Sequence, residues 1–408
     1  MYKDLLRKYA KLAVTKGVNL QENGLLVINS PIECCEFARM ISEEAYNMGA
    51  LDVYMNYSDE KFNKIRFVNA SKETLSHIHY FERDKYDYFA ENGAAFLSIS
   101  ASDPNILKDV DSSKIALYQK SKRTALKNYF ERCSSNRNSW CIVSIPTQGW
   151  AKKVFSELST EEAVEKLWDV IFDVMRLNEN DPIVAWNKHT SLLHAKVHEL
   201  NNHNFKYVHF KNSLGTDLKI ELVKNHLWCG GEDKAEAGFN FIANMPTEEV
   251  YSMPKYDGVN GKVFSSKPLS YCGNIINNFS VTFKNGKVVD YDAEVGLEVL
   301  KELLETDEGS KHLGEVALVP YDSPISNSNI IFYNTLYDEN ASCHLALGEA
   351  YTCCIENGEN MSKGELSKAG YNHSLVHVDF MIGTKDMNIV GVKEDGSEVQ
   401  IFKDGNWA

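Results

Sequence analysis

The chain has 408 residues, of which 43% are hydrophobic and 25% are charged, and its formal net charge is −14 at pH 7. This length predicts roughly two domains, and the absence of any run of about 18 apolar residues excludes a membrane span. The negative charge, without a basic stripe interleaved with aromatic residues, argues against nucleic acid as a partner.

The N-terminal segment and the cysteines predict a cytoplasmic protein. Residues 1–17 mix basic and apolar residues at helical spacing, without the continuous apolar region and cleavage site of a secretory signal. Nine cysteines are an odd number, and two pairs are neighbours in sequence: Cys34 with Cys35, and Cys353 with Cys354. Since no C-x-x-C motif occurs, we expect reduced thiols in the cytoplasm.

The first half of the chain alternates between predicted strands and helices. Buried apolar runs predict strands at residues 24–29, 51–57, 94–100 and 140–146. Helical spacing over residues 32–49 places a helix between the first two strands, which gives a βαβ unit. Ser159 and Glu162 form a capping box ahead of a further helix. We therefore predict an α/β domain over residues 1–180 with a largely parallel sheet and no glycine-rich nucleotide-binding turn.

The second half consists of short β-rich segments separated by turns. Asn-Gly in "VTFKNGKVVDYD" and two Asp-Gly pairs in "VGVKEDGSEVQIFKDGNW" predict hairpins. The sequence therefore predicts a second domain over residues 181–408, which is β-rich and of the α+β class.

Several carboxylates of this second half stand beside turns or apolar strands. "NMPTEEV" contains Glu248 and Glu249, which alone would indicate an acidic helix start capped by Thr247. "HLGEVALVP" sets Glu315 at the mouth of an apolar strand, where a lone glutamate is most often solvated. Each has a structural and a functional interpretation.

The segment "DENASCHLALGEAY" combines a carboxylate, an imidazole and a phenol. Glu339 and His344 are five residues apart, so they cannot share a helix face. They can meet if Glu339 lies in a turn capped by Asn340 and His344 follows in a regular element. In a helix, Tyr351 would return to the side of His344, although a glycine within the segment weakens the helical interpretation.

"LVHVDFMIG", residues 375–383, alternates like a strand with one wholly apolar face. His377 and Asp379 share the opposite face. The pair could be a simple structural hydrogen bond, or it could be two ligands of one ion.

Taken together, these donors predict a metal site. Carboxylates and imidazoles without thiolates suit two divalent ions of the zinc, cobalt, manganese or magnesium kind, with one carboxylate bridging them. Paired ions activate water and polarise a carbonyl oxygen, which is hydrolytic chemistry.

The segments that carry these donors are, in chain order, "ANMPTEEV", "GEVALV", "LYDENASCHLALGEAY" and "HSLVHVDFMIG". In this order and spacing they resemble the M29 family of metalloaminopeptidases. The likeness extends over nearly the whole chain, because "YAKLAVTKGVNLQ" and "FARMISEEAYNMGALDV" resemble the N-terminal domain of that family and "SLGTDLKIEL" resembles its domain junction.

The resemblance implies a set of site residues. The implied metal ligands are Glu249, Glu315, Glu339, His344, His377 and Asp379. Glu315 is the implied bridge, and the register of the motif selects Glu249 over Glu248. Tyr351 matches the tyrosine that stabilises the tetrahedral intermediate. Glu249 or Glu315 would carry the proton to the leaving nitrogen.

The resemblance further implies a metal-dependent aminopeptidase that acts on peptides with a free α-amino group. The implied fold is an α/β N-terminal domain with a β-rich metal-binding C-terminal domain, and the implied assembly is a homodimer. Two alternatives remain open at this point: another dinuclear hydrolase, such as a phosphoesterase or deacylase, and a non-catalytic binding protein with structural metals.

Overall fold

The computed structural model describes residues 2–272 and 274–408. The chain divides into two compact units. The first runs to His189 and includes Glu232–Pro246, and the second consists of Thr190–Gly231 and Thr247–Ala408. That residues 1–180 and 181–408 are separate domains stays a prediction, because a domain is a part of the chain that folds independently. Within the described residues, no helix has the length and apolarity needed to cross a membrane.

A four-stranded sheet forms the centre of the first unit. Its strands are β1 (Leu25–Pro31), β2 (Asp52–Ser58), β3 (Ala95–Ile99) and β4 (Trp140–Val143). Their order is β2-β1-β3-β4, and every pair is parallel. Such a sheet has helices on its faces, which explains the nearly continuous apolar runs of β1 and β3. The predicted α/β architecture with a parallel sheet is therefore confirmed.

Nine helices of the described residues connect and cover these strands. They are α1 (Tyr2–Leu12), α2 (Cys35–Asn47), α3 (Glu60–Asn69), α4 (Lys72–Ser76), α5 (Tyr80–Glu91), α6 (Ser112–Ala125), α7 (Lys127–Ser134), α8 (Gln148–Val154) and α9 (Thr160–Val174). The predicted capping box begins α9, because the Ser159 side chain accepts from the Glu162 backbone and the Glu162 side chain accepts from the Ser159 backbone.

The next elements fall on both sides of the boundaries between the two units. They are α10 (Pro182–His203), β5 (Tyr207–Lys211), β6 (Asp217–Leu222), β7 (Asp233–Lys234) and β8 (Asn240–Phe241). Strands β7 and β8 form a short antiparallel pair within the first unit, whereas β5 and β6 belong to the second.

The second unit contains the remaining elements. Its strands are β9 (Val250–Ser252), β10 (Pro254–Phe264), β11 (Leu269–Tyr271), β12 (Asn274–Lys284), β13 (Lys287–Val295), β14 (Leu313–Leu318), β15 (His344–Gly348), β16 (His377–Met381), β17 (Asn388–Val392), β18 (Glu398–Lys403) and β19 (Asn406–Trp407). Its helices are α11 (Leu297–Leu304), α12 (Pro324–Asn327), α13 (Thr335–Glu339) and α14 (Lys363–Ala369).

These strands form two antiparallel sheets with a shared apolar core. The larger sheet has the order β11-β12-β10-β6-β5-β17-β18-β19, with β13 paired to β12. The smaller has the order β16-β15-β14-β9. Buried side chains from both, including Phe210, Val281, Leu345 and Phe380, belong to one hydrophobic cluster. This cluster anchors the smaller sheet, which carries most of the candidate site.

The three predicted hairpin turns lie where the sequence places them. Asn285 and Gly286 connect β12 to β13, and Asp-Gly pairs precede β18 and β19. The helical alternative for His344 is wrong, because His344 is the first residue of strand β15. The apolar residues Leu345, Ala346 and Leu347 before Gly348 suit a strand buried on both faces.

Candidate metal centre

The register of the smaller sheet places donors from three strands on one face. Glu315 on β14 lies opposite Ala346 on β15, and Ala346 lies opposite Asp379 on β16. Side chains directly opposite each other in an antiparallel sheet point to the same face. His344 is two residues before Ala346, and His377 is two residues before Asp379, so both imidazoles also share this face.

Small residues leave room between the donors. Ala346 separates Glu315 from Asp379 in the row across the sheet, and Gly348 lies opposite His377. Gly348 has φ +111, and a Cβ there would lie 2.0 Å from the Val376 carbonyl oxygen. From the sequence, Gly348 only weakens the helical interpretation and Ala346 carries no prediction, although the alternation His-x-Ala-x-Gly is a signal for this face.

Two further carboxylates come from segments outside the strands. Glu249 directly precedes β9, and Glu339 is the last residue of α13. The buried amide of Asn340 connects their segments: its Oδ1 accepts from the Glu248 backbone N–H at 2.7 Å, and its Nδ2 lies 3.5 Å from Glu339 Oε1. From the sequence, Asn340 is predicted only to cap a turn, and this link is not predicted.

Glu315 contacts both imidazoles, one with each oxygen. Its Oε1 lies 3.5 Å from His344 Nε2, and its Oε2 lies 3.3 Å from His377 Nε2. His344 Nε2 is also 3.0 Å from Glu249 Oε2, and His377 Nε2 is 3.4 Å from Asp379 Oδ1. The donors therefore form two adjoining groups that share Glu315.

Backbone carbonyls orient both imidazoles. His344 Nδ1 lies 3.0 Å from the Ser342 carbonyl oxygen, and His377 Nδ1 lies 2.7 Å from the Glu349 carbonyl oxygen. Because a carbonyl only accepts, each Nδ1 carries the hydrogen. Each Nε2 then faces the carboxylates, which is the usual arrangement of imidazoles that bind metal ions.

The ionisable groups of the centre perturb one another. Burial raises the pKa of Glu339 well above its ordinary value, and the Asp379 and Glu249 carboxylates add to the effect. Burial and neighbouring carboxylates also raise the pKa of Glu249, against the influence of His344. Burial is the largest single effect on Asp379 and raises its pKa, but His377 and His344 together lower it further, so the net shift is downward. The centre thus concentrates negative charge away from water.

Both imidazoles have a pKa well above the ordinary value in this environment. Burial opposes the shift at His344, but hydrogen bonds with Glu249 and Glu315 exceed it. Burial is also the largest single effect at His377 and lowers its pKa, but Asp379 and Glu315 together raise the pKa by more. The buried carboxylates therefore strongly favour positively charged groups beside them.

Tyr351 lies beside this centre. Its ring is 4.8 Å from the His377 ring and 5.9 Å from the Tyr251 ring, measured between centroids. Burial and the carboxylates of Glu315 and Asp379 raise its pKa well above the ordinary value. The phenol therefore stays protonated at neutral pH and can donate a hydrogen bond.

The structure brings five of the six proposed ligands into close groups. Glu249, Glu315 and His344 have donor atoms within 4.8 Å of one another, and so do Glu315, His377 and Asp379. Glu339 lies outside these groups, but the Asp379 and Glu249 carboxylates are near enough to raise its pKa.

Two of the predictions that gave residues of this region a purely structural role are wrong. Thr247 caps no helix, because the residues before β9 are irregular. Glu315 is not a solvated strand end, because it lies within β14 and is 4% exposed.

The donor set fits divalent ions. Its atoms are carboxylate oxygens and imidazole nitrogens, which suit zinc, cobalt, manganese or magnesium. The groups are buried, and burying several like charges is unfavourable unless cations neutralise them.

Comparison with known proteins supports the same chemistry. Residues 2–407 match the family model described as thermophilic metalloprotease (M29). Aminopeptidase 2 of Geobacillus stearothermophilus is 50% identical over 403 residues, which cover 99% of this chain and 97% of that protein. Aminopeptidase T of Thermus thermophilus is 40% identical over 407 residues, which cover 100% of this chain and 99% of that protein.

Two solved structures are similar to this chain. Wild-type AmpT from Thermus thermophilus matches with a TM-score of 0.93 and 38% identity, covering 100% of both chains. A 2,5-dihydroxypyridine dioxygenase from Pseudomonas putida KT2440 matches with a TM-score of 0.54 and 10% identity, covering 100% of this chain and 98% of the other. The second similarity concerns the fold alone.

Proposed function

The chain belongs to the M29 family of metalloproteases and is a metal-dependent aminopeptidase, and we propose that its reaction takes place at two divalent ions in the centre around Glu315. The enzyme hydrolyses the N-terminal residue from peptides that have a free α-amino group. The proposed ligands are Glu249, Glu315, Glu339, His344, His377 and Asp379.

The geometry of Glu315 carries the proposal of two ions. Its two oxygens face imidazoles that belong to different donor groups, as a bridging carboxylate requires. The four proposed carboxylate ligands also carry four negative charges, which two divalent cations balance. The choice among zinc, cobalt, manganese and magnesium belongs to this proposal as well, because all four accept oxygen and nitrogen ligands.

The proposed mechanism assigns a separate task to each side chain. When bound, divalent ions supply a Lewis acid for the peptide carbonyl and make water a better nucleophile. Glu249 takes the proton of the attacking water and passes it to the leaving nitrogen. We favour Glu249 over Glu315 here, because both Glu315 oxygens face imidazoles. Tyr351 donates a hydrogen bond to the oxygen that becomes negative.

The first test compares a short peptide with a free amine and its N-acetylated counterpart. Chelated protein is assayed before and after each of the four metals is restored, and phosphate esters are assayed in parallel. We expect cleavage of the free-amine peptide only, and only with metal. Cleavage of the acetylated peptide, or faster turnover of phosphate esters, would contradict the proposal.

The number of ions and the role of Glu315 need a measurement of their own. Metal analysis of protein dialysed against manganese, an ion that prefers carboxylates to thiolates, should give two ions per chain in the natural protein and fewer in Glu315→Gln. Glu298→Gln is the matched control, because that carboxylate is 83% exposed at the start of α11. One ion per chain in the natural protein would overturn the dinuclear proposal.

We also propose that the protein is a homodimer. Supporting this, α3 exposes Phe62, Ile65 and Val68 by 61%, 60% and 56%. These residues are three apart and therefore lie along one side of the helix. Sedimentation velocity should show a dimer that Ile65→Asp weakens, whereas Val184→Asp, at a 61% exposed position of α10, should not. A natural protein that sediments as a monomer would overturn the proposal.

Cytoplasmic location is likewise proposed. All nine cysteines are free thiols in this structure. Such thiols persist in a reducing compartment. Fractionation of the source cells, with the enzyme followed by antibody, tests this; recovery outside the cytoplasm would contradict it.

A further inference from the structure

Three cysteine side chains of the second unit lie together. The sulfur atoms of Cys229, Cys353 and Cys354 are all within 4.8 Å of one another. None of the three forms a disulfide. None of them belongs to the donor set around Glu315, and the aminopeptidase reaction assigns them no task.

Backbone hydrogen bonds hold the cysteines in place from two sides. Cys229 and Tyr251 exchange N–H···O bonds of 2.8 and 2.9 Å. Cys353 and Cys354 lie in a 3₁₀ turn, Thr352–Cys354, and the Cys354 carbonyl accepts from the Leu227 N–H at 2.8 Å. The two segments are thus fixed against each other, which lowers the cost of ordering three ligands around an ion.

The surroundings of the cysteines are apolar. Cys354 is 1% exposed and belongs to a cluster with Val223, Met253 and Ile355. Cys229 and Cys353 are half-buried at the side of this cluster. An ion can therefore reach the sulfur atoms from one side, while little water competes for it on the other.

We propose that Cys229, Cys353 and Cys354 form a second metal site, which binds one thiophilic cation such as zinc or cadmium. Soft thiolate ligands select these ions. Zinc–sulfur bonds of about 2.3 Å place tetrahedral sulfur ligands about 3.8 Å apart, so the thiols need only small side-chain rotations to close on an ion. Three S–H groups lose their protons to the buffer, three S–metal bonds form, and no electron is transferred.

Because of the position of the site, a bound ion would affect the structure near Tyr351. The turn with Cys353 and Cys354 directly follows Tyr351. Tyr251, whose ring contacts Tyr351, has its hydroxyl 3.8 Å from Cys353 Sγ. A bound ion would therefore restrain the segment that carries Tyr351. The site itself does not depend on aminopeptidase activity, so its test is independent of that function.

The test uses cobalt as a spectroscopic probe. Reduced, chelated, full-length protein is titrated with Co²⁺, and the absorbance from charge transfer between thiolate and cobalt is followed. Oxygen and nitrogen ligands do not produce this band, so cobalt at the centre around Glu315 does not interfere. We expect the band to reach its maximum with one Co²⁺ per chain at the thiols, and zinc to abolish it.

Matched variants assign the band to the three thiols. Cys229→Ser combined with Cys353→Ser should lose it. Cys34→Ser combined with Cys35→Ser should retain it, since that change also removes two thiols, from the other neighbouring pair. If the first variant does not fold, as judged by circular dichroism, Cys354→Ser replaces it. Absence of the band in the natural protein, or its persistence without these thiols, would overturn the proposal.

Alkylation gives a second measurement that requires no variant. Zinc should slow iodoacetamide labelling of Cys229 and Cys353 at least tenfold, as read by mass spectrometry. Labelling of Cys35 and Cys272, which are also half-buried, should not change. Equal labelling with and without zinc, or a disulfide between Cys229 and Cys353 in the isolated protein, would contradict a metal site.

Discussion

Tyr351 lies against the candidate metal centre, and its phenol stays protonated at neutral pH. Its ring lies against His377, and its pKa is well above the ordinary value. A donor with these properties acts on charge that develops during the reaction, and removal of one such donor typically lowers kcat about 100-fold or more. Tyr351→Phe keeps the ring and removes the hydroxyl.

We predict that Tyr351→Phe lowers kcat by about 100-fold, with less than about a threefold change in KM. Steady-state cleavage of a free-amine peptide measures both constants. Tyr321→Phe serves as the control, because Tyr321 is 37% exposed and lies outside the donor groups. A rise in KM at unchanged kcat would instead assign Tyr351 to substrate binding.

The hydrogen bonds of the Asp386 carboxylate predict that the stability of the protein depends on pH. Its carboxylate accepts from the Ser213 backbone N–H at 2.8 Å and from the Thr384 hydroxyl at 2.7 Å. Side-chain hydrogen bonds to Ser213 and Thr384 lower its pKa to about 2 from the ordinary 3.8. Because the folded pKa is the lower one, the stabilisation is complete above pH 3.8 and is lost as the pH falls towards 2.

Asp386→Asn should therefore lower the urea midpoint at pH 6 and change it less at pH 3. Urea unfolding of both proteins, followed by tryptophan fluorescence, measures the difference at each pH. Asp290→Asn, at an exposed position of β13, controls for the general effect of lost charge. A difference between natural and variant protein that grows towards pH 3 would contradict the assignment.

The hairpin turns of the second unit differ in how much space surrounds their glycines. Gly286 has φ +79, and a Cβ there would lie 1.8 Å from the Tyr256 carbonyl oxygen. Gly396 has φ +81, and among the described residues nothing lies within 4 Å of an added Cβ. Both turns need a left-handed backbone, but only the first also needs the absence of a side chain.

We predict that Gly286→Ala destabilises the protein more than Gly396→Ala does. Gly396→Ala costs about 1 kcal/mol in the free energy of unfolding, because of the backbone conformation alone. At Gly286 the clash of the added Cβ increases this cost. Urea midpoints of the two variants measure the difference. Equal midpoints would mean that the chain around Tyr256 moves aside without cost.

Regular elements were the most predictable part of this structure. The strands β1 to β4 and the helix α9 follow from local apolar runs and a capping box, and the hairpins follow from Asn-Gly and Asp-Gly pairs. These signals are local, because turn chemistry and apolar spacing act over a few residues. The strand at His344 was harder to predict, because a short apolar run fits a buried strand or a buried helix equally well.

The arrangement of the site could be predicted only in part. His377 and Asp379 share a face because a strand alternates, which the sequence shows directly. That Glu315 lies in the same row as Asp379 depends on strand register, and register depends on residues far apart in the chain. The hydrogen bond from Glu248 to Asn340 joins two irregular segments, which no local pattern predicts.

For the whole molecule, the centre couples metal binding to stability. Four buried carboxylates repel one another, and cations bound only by the folded chain oppose that repulsion. Ions at 100 times their dissociation constant would contribute about 2.7 kcal/mol for one site. The folded state of the chelated protein should therefore be less stable.

We predict that chelation with EDTA lowers the temperature of thermal unfolding by several degrees and that restored metal reverses the loss. Differential scanning calorimetry measures both steps. Glu315→Gln should respond less to EDTA, because it has already lost the shared ligand. The same unfolding temperature with and without EDTA in the natural protein would exclude this coupling.

The fold alone does not decide the reaction. The dioxygenase from Pseudomonas putida has a similar fold at 10% identity and a different named activity. Activity instead follows from the side chains that a fold carries. This chain is similar to aminopeptidases over its full length.

The strand order β16-β15-β14-β9 has a consequence for protein synthesis. The segments with the donors leave the ribosome in sequence, from Glu249 to Asp379, and β16 is the last of them. A nascent chain that has released β9 and β14 still lacks His377 and Asp379, so it cannot hold a complete centre. With the proposed ligand set, we therefore expect the peptidase to be inactive while most of its own chain is being made.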